Sequence, residues 1–217
     1  GGNVALMVAN MIGHGKVVGV DFDETIIALA KQDCSDGGIS NVFYEANSCY
    51  DLPYENEFDV SYARFLLSHL ERPLKALIKM KAATKVGGKV VVEDLQFSGH
   101  FSHPKNKAYD EYLKLYSDVV KRKGGNAEIG PGLVQLFAEA GLVDVGFDVI
   151  QPTFTKGNGK WMAYLTLEKI KDSLISEGIV EATIVDDLLT ELKAFTEDET
   201  TMMSLPRIFR VWGTKVE

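Results

Sequence analysis

The chain is expected to fold as an α/β domain built on a doubly wound, mostly parallel sheet. Three observations carry this expectation. Short apolar runs of strand length alternate with amphipathic helical stretches over the first hundred residues; Lys89-Val90-Val91-Val92-Glu93-Asp94 is a β-branched run closed by carboxylates; and a helix led by Gly1-Gly2 is followed by a strand ending at Asp21. Strand–helix alternation implies right-handed crossovers and a sheet covered on both faces.

Taken in order, Asn3 to Ile12 places Val4, Val8, Met11 and Ile12 at helical spacing, an expected core face, before Gly13-His14-Gly15 stops the helix. Lys16 to Val20 reads as the first strand. Asp23 is a natural N-cap for a helix with Ile26, Ile27 and Ala30 on its apolar side, ending before Asp36-Gly37-Gly38. Asn41 to Ala46 is a short strand, and Phe58 to Tyr62 a buried one after the turn-rich Pro53 to Glu57. Pro73 suits the first turn of a helix displaying Leu74, Leu77, Ile78 and Ala82, and Gly87-Gly88 leads into the Lys89 to Asp94 strand.

The second half begins with a helix from Lys105 to Lys123 carrying Tyr109, Tyr112 and Tyr116 at core spacing, then a helix from Gly132 to Ala140. Val143 to Phe154 and Met202 to Trp212 read as strands interrupted at Pro152 and Pro206. Between them, Leu167, Ile170 and Leu174, then Ile184, Leu188, Leu192 and Phe195, mark two helices. These form an expected insertion, about residues 166–196, that joins a terminal antiparallel strand pair and folds over the open rim of the sheet.

The 217 residues are expected to form one domain, with a cofactor-binding half over 1–95 and a substrate-side half over 96–217. With 31 acidic against 23 basic residues, a formal charge of −8 argues against nucleic acid as partner. Cys34 and Cys49 lack CxxC spacing and nearby histidines, so they read as reduced thiols of a cytoplasmic protein without a metal site. No run approaches a membrane span and no signal-peptide pattern is present, so no membrane partner is expected.

Ligands of such sheets bind outside the carboxyl ends of the strands. Asp21, Ala46 to Cys49, Tyr62 to Phe65 and Asp94 to Phe101 all fall there, on one expected rim. Side-chain-free backbone at Gly1-Gly2 lets a ligand approach unpaired helix N–H groups, and a carboxylate at Asp21 can accept both hydrogen bonds of a ribose diol. This is the pattern of a nucleotide-cofactor pocket, equally suited to a nicotinamide dinucleotide or a methyl donor. Such a glycine loop follows a buried strand, so the chain is expected to begin inside its own motif.

Together, Gly1-Gly2, Val18-Gly19-Val20-Asp21, Asp51-Leu52-Pro53-Tyr54, Phe58-Asp59-Val60, Leu67-Ser68-His69-Leu70 with Pro73, and Gly87-Gly88-Lys89-Val90-Val91-Val92 resemble the class I S-adenosylmethionine-dependent methyltransferases that modify small molecules. The resemblance runs to about Asp94 and weakly on through Gly141 and Leu142. It implies a seven-stranded sheet of order 3-2-1-4-5-7-6 with the last strand antiparallel, the first and central strand lying upstream of Gly1. It implies S-adenosyl-L-methionine as cofactor and in-line methyl transfer to a small acceptor.

By that resemblance, Gly1 and Gly2 approach the methionine part of the cofactor, Asp21 binds the ribose hydroxyls, and Phe22 packs on the adenine or else closes the core. Asn47-Ser48-Cys49 falls where relatives carry Gly-Asp-Ala, so the Ser48 hydroxyl replaces a carboxylate toward the adenine amino group. Ala63-Arg64-Phe65 lines the methyl path, with Arg64 either clamping a carboxylate or making a surface salt bridge. His69 is expected to pack a turn. His100 and His103 are the candidates for a base or substrate contact, against simple solvation. Two other readings compete: an NAD(P)-dependent oxidoreductase, and a non-catalytic cofactor-binding partner subunit.

Overall fold

In a computed structural model, which describes residues 2–217, helix α1 (Asn3–Ile12) leads into strand β1 (Val17–Asp21), helix α2 (Glu24–Asp36) and strand β2 (Val42–Ala46). Gly1 lies outside the described residues. β1 and β2 pair in parallel, from Val17 opposite Val42 to Asp21 opposite Ala46. Asp23 caps α2 as expected, its carboxylate accepting the N–H groups of Thr25 and Ile26 and so satisfying donors that a helix start leaves free. Ala9, Ile27, Ala30, Cys34, Val42 and Tyr44 form the core of this unit.

The face of α1 is a correction. Val4, Val8, Met11 and Ile12 stand exposed, Met11 at 82%, while Ala5, Leu6 and Ala9 make the contact. Two strands offer a surface only one helical stripe wide, and the stripe with small residues lies closest. Tyr44 fills the space beneath it. A Cβ at Gly2 would come within 2.7 Å of its hydroxyl, and one at Gly19 within 2.7 Å of its ring.

Strands β3 (Phe58–Arg64) and β4 (Thr84–Gln96) flank helix α3 (Pro73–Ala83) and pair in parallel. β4 starts earlier than expected, directly off α3; residues 85–88 loop out of register between the Phe58–Thr84 and Val60–Lys89 pairs. Two-residue strand β5 (Ser102–His103), helix α4 (Lys107–Arg122), helix α5 (Leu133–Glu139) and strands β6 (Val143–Ile150) and β7 (Thr153–Phe154) follow. Helices α6 (Met162–Ser176) and α7 (Ala182–Glu197) come next, then β8 (Met202–Ser204) and β9 (Arg207–Thr214). The breaks fall at Pro152 and Pro206, as expected. The insertion therefore lies between β6 and β9, the antiparallel terminal pair.

The strands do not form one seven-stranded sheet. They fall into sheets of order β1-β2, β3-β4-β9-β6 and β5-β8-β7. Within the sheets, β2-β1 agrees with the 3-2 part of the expected order and β3-β4-β9-β6 with its 4-5-7-6 part, β9 running antiparallel. α3 and α5 cover one face of the four-stranded sheet around Leu77, Val90, Val92, Leu133 and Phe137. A third core joins α4, α6 and α7 through Tyr112, Leu115, Leu167, Leu174, Val185 and Leu192.

Lys215 ties the base of the four-stranded sheet. Its buried ammonium donates to Asn56 Oδ1 (2.9 Å) and to the carbonyls of Ala82 (3.2 Å) and Thr84 (2.9 Å). Lys215→Met strips three acceptors of a charged donor and is expected to cost about 1.5–3 kcal/mol. The measurement is the urea midpoint at unchanged slope; an unmoved midpoint would show that water replaces the ammonium at no cost.

Candidate functional site

The carboxyl ends of β1 and β2 bring Asp21, Phe22, Asn47 and Ser48 together. Asp21 Oδ1 accepts the N–H of Asp23 (3.0 Å), and its main-chain carbonyl accepts the N–H of Asn47 (2.9 Å). Among the described residues Oδ2 has no partner. Phe22 is 84% exposed, which removes the alternative that it closes the core. Gly2 is the left-handed N-cap of α1 (φ 82°) and supplies no side-chain cap to that helix. Ser48 Oγ accepts the N–H of Tyr50 (3.1 Å) and its carbonyl that of Asp51 (3.0 Å), fixing a turn. Burial pushes the Cys49 thiol up, so it stays protonated and is no nucleophile.

Tyr50 connects this unit to the four-stranded sheet. Its hydroxyl accepts the N–H of Arg72 (3.3 Å), and its ring lies beneath the cations of Arg72 and Lys75, 4.9 and 5.4 Å from the centroid. Asp51 pairs with Lys75 at 3.5 Å on the surface, which holds the loop.

At the end of β3 the three consecutive residues part ways. Ala63 is buried in the core beneath the sheet. Arg64 Nε lies 3.5 Å from Glu93, which also accepts from the Tyr62 hydroxyl (3.0 Å). The structure thus shows Arg64 in a surface ion pair, of a kind worth about 0–1 kcal/mol. Phe65 adopts a left-handed backbone (φ 50°), strained for an aromatic residue, with its N–H held by the Glu93 carbonyl at 2.8 Å. That turn swings the chain into the 3-10 turn Leu67–His69. Asp94, fully buried at the end of β4, accepts the N–H groups of Ser68 (3.0 Å) and Leu95 (2.9 Å) and so fixes the turn bearing His69. Burial pushes its carboxyl up, against the pull of those hydrogen bonds and of His69.

Beyond these ends lies a cavity of about 250 Å³, enclosed by the end of β4, α4, α6 and β8. Phe65, Phe97, Tyr109, Tyr112 and Tyr116 form its aromatic wall, and Met162, Ala163 and Thr166 of the insertion close it. His69 and His100 line it; none of its lining residues is a lysine, arginine, aspartate or glutamate. His100 Nδ1 sits 2.6 Å from the Phe97 carbonyl. A carbonyl only accepts, so Nδ1 carries the proton and Nε2 the lone pair. Burial pushes this imidazole down to about 4, the Phe97 hydrogen bond opposing. His103 is exposed on β5 opposite Met202, outside the cavity wall.

The structure therefore joins His100 with His69 and Phe65 and leaves Arg64 and His103 apart from the cavity. Sequence reasoning assigned no role to Asp94, although it closes the clearest strand in the chain. The bent backbone at Phe65 and the inward turn of Thr166 and Met162 left no periodic signal.

Comparison with known proteins gives consistent results. Residues 1–88 match the family described as a methyltransferase domain. Over 149 residues the chain is 30% identical to the demethylmenaquinone methyltransferase of Halalkalibacterium halodurans, covering 60% of this chain and 59% of that protein. The chain thus spans about three fifths of that relative's length. A candidate methyltransferase structure from Bacillus halodurans superposes with a TM-score of 0.63 at 19% identity, over 98% of this chain and 89% of the other. The geranyl diphosphate C-methyltransferase of Streptomyces coelicolor A3(2), solved with Mg2+, geranyl diphosphate and S-adenosyl-L-homocysteine, gives 0.58 at 13% identity, over 99% and 69%. At these identities the structural likeness establishes the fold.

Proposed function

We propose that the chain is a class I S-adenosylmethionine-dependent methyltransferase that methylates a small molecule held in the aromatic cavity. The observation that carries this reading is the position of the cavity. It opens at the carboxyl ends of β3 and β4, where Phe65 and His69 belong both to the rim and to the cavity wall.

The rim residues fit the cofactor. Asp21 keeps one carboxylate oxygen free for a ribose diol, Phe22 offers an open ring face to adenine, and the uncapped start of α1 leaves N–H groups beside Gly2. Ser48 already accepts from Tyr50 and retains its own hydroxyl proton to offer a ring nitrogen, with Asn47 and Cys49 flanking it. Bound S-adenosylmethionine supplies an electrophilic methyl group. The protein's task is then to align the acceptor and exclude water, for which a dry aromatic wall closed by α6 is suited. The acceptors named for the relatives, a demethylmenaquinone and geranyl diphosphate, differ so much that the acceptor has to be read from this chain's own cavity.

Calorimetry with S-adenosylhomocysteine and NADH separates this reading from the oxidoreductase: tight binding of the first and none of the second supports it, and the reverse overturns it. Asp21→Ala is expected to weaken S-adenosylhomocysteine by roughly 1.5–3 kcal/mol, the range for hydrogen bonds to a charged group. Unchanged affinity would remove Asp21 from the site. Methyl transfer to any acceptor in a radiolabel screen would exclude a non-catalytic subunit.

A further inference from the structure

Two of the polar side chains around the cavity, Tyr109 and Ser204, are already spent. The Tyr109 hydroxyl donates to the Ser204 carbonyl at 2.6 Å, and Ser204 Oγ accepts the Phe101 N–H at 2.8 Å and Gln151 Nε2 at 3.3 Å. His100 Nε2, unlike the cavity's hydroxyls, can only accept. Among the described residues it has no hydrogen-bond partner, yet the buried side-chain atom left without one is Ser68 Oγ, so Nε2 opens onto free space. The ring is held in place from behind by Phe97 (centroids 4.4 Å apart) and Tyr109 (6.0 Å), both edge-on.

We infer that the cavity takes an uncharged aromatic molecule whose hydroxyl donates a hydrogen bond to His100 Nε2, making His100 the residue that selects the acceptor. The inference rests on the methyltransferase reading only in calling this molecule an acceptor; the binding site itself is read from the cavity.

Three features of the wall lead there. Its rings offer faces and edges at which a flat aromatic molecule gains more than its buried area alone. An anion would lose its hydration with no cation in the wall to replace it, and an ammonium would find no carboxylate. A neutral hydroxyl, by contrast, meets a lone pair that nothing else satisfies. The groups facing His100 are consistent with this: His69 from the turn after β3, Tyr109, Tyr112 and Tyr116 from α4, Thr166 from α6 and Ser204 from β8. With its pKa near 4, roughly six units below that of a phenol, His100 is too weak a base to ionise a resting hydroxyl. Its work is orientation.

The test uses the full chain with S-adenosylhomocysteine bound and without it, titrated with 1-naphthol, 1-methoxynaphthalene, 1-naphthoate and 1-naphthylmethylammonium. The naphthol is expected to bind about 3- to 10-fold more tightly than its methyl ether, the worth of one net hydrogen bond, and both charged compounds more weakly still. His100→Phe keeps a ring in place and should erase the preference for naphthol over the ether while leaving S-adenosylhomocysteine affinity unchanged. His100→Gln, which can donate to the Phe97 carbonyl and still accept, should restore part of that preference and serves if the Phe variant does not fold.

A preference that survives in His100→Phe, or one left at its full wild-type size in His100→Gln, overturns the inference. So does tighter binding of either charged compound, or no binding of naphthol to the wild-type chain. Failure of S-adenosylhomocysteine to bind while naphthol selection persists would instead overturn the methyltransferase reading and leave the hydroxyl site standing.

Discussion

Replacing Phe137 with Ala is expected to cost about 3–5 kcal/mol, the usual range for emptying a fully buried phenyl site. Phe137 has no exposed surface and sits on α5, a helix of seven residues. A helix that short has no stability of its own in water. It is held to the four-stranded sheet by Leu133 and Phe137, the latter so close to β9 that a Cβ at Gly213 would lie 3.1 Å from its ring. Truncation leaves a void that β9 and α3 cannot close without moving Val90 and Val92. Because β3 and β4 of this sheet lead into Phe65, His69 and Leu95 of the cavity wall, the loss should reach the site as well as the fold. Urea unfolding checks it, with Met11→Ala as the comparison. That side chain is 82% exposed although the spacing of α1 reads it as core, and its truncation is expected to stay within about 0.5 kcal/mol. Equal costs for the two variants would mean that α5 is not docked as described.

The contrast between Phe137 and Met11 shows what the sequence could and could not disclose. Periodicity located every helix, because each buries some stripe of its surface, and Pro152 and Pro206 marked real strand breaks through the hydrogen bonds proline cannot donate. Which stripe of α1 is buried depends on how many strands lie beneath it, and that is a fact of tertiary pairing. The division into three sheets has the same origin: alternation of strands and helices fixes parallel crossovers but does not state which edges meet. At the site, Asp21 and Asp23 were separable because a cap needs the residue immediately before the helix, and Asp23 occupies that place. Arg64 was not: a guanidinium at a strand end suits a ligand clamp and a cross-strand ion pair equally, and the structure places it 3.5 Å from Glu93 on the neighbouring strand. The positions of His100 and His103 hinge on the 3-10 turn Phe97–Gly99 and strand β5 that follow β4, which bring one imidazole to the cavity wall and leave the other exposed.

The placement of His100 carries a thermodynamic signature. As pH falls from 6.5 to about 4, His100 is expected to withdraw about 3 kcal/mol of folding stability, at 1.36 kcal/mol per pKa unit. The sign follows from proton uptake. His100 titrates near 4 when folded and at 6.5 as its ordinary value, so within this window the unfolded chain binds the extra proton. Stability therefore rises with pH through the window, is complete above 6.5 and is lost progressively toward 4. Asp94 works the other way. Its carboxyl is raised by burial above 3.8, so above that value the folded chain holds its proton longer and gains stability as pH falls. The two partly cancel in the wild-type curve, which makes the difference from His100→Gln the informative quantity, since Asp94 and the surface carboxylates are common to both. The stability of the wild-type chain relative to the variant should fall by about 3 kcal/mol from pH 6.5 to 4, read from paired urea midpoints. A difference that stays flat would place His100 in water and not against Phe97 and Tyr109, and with it would go the lone pair on which acceptor selection depends.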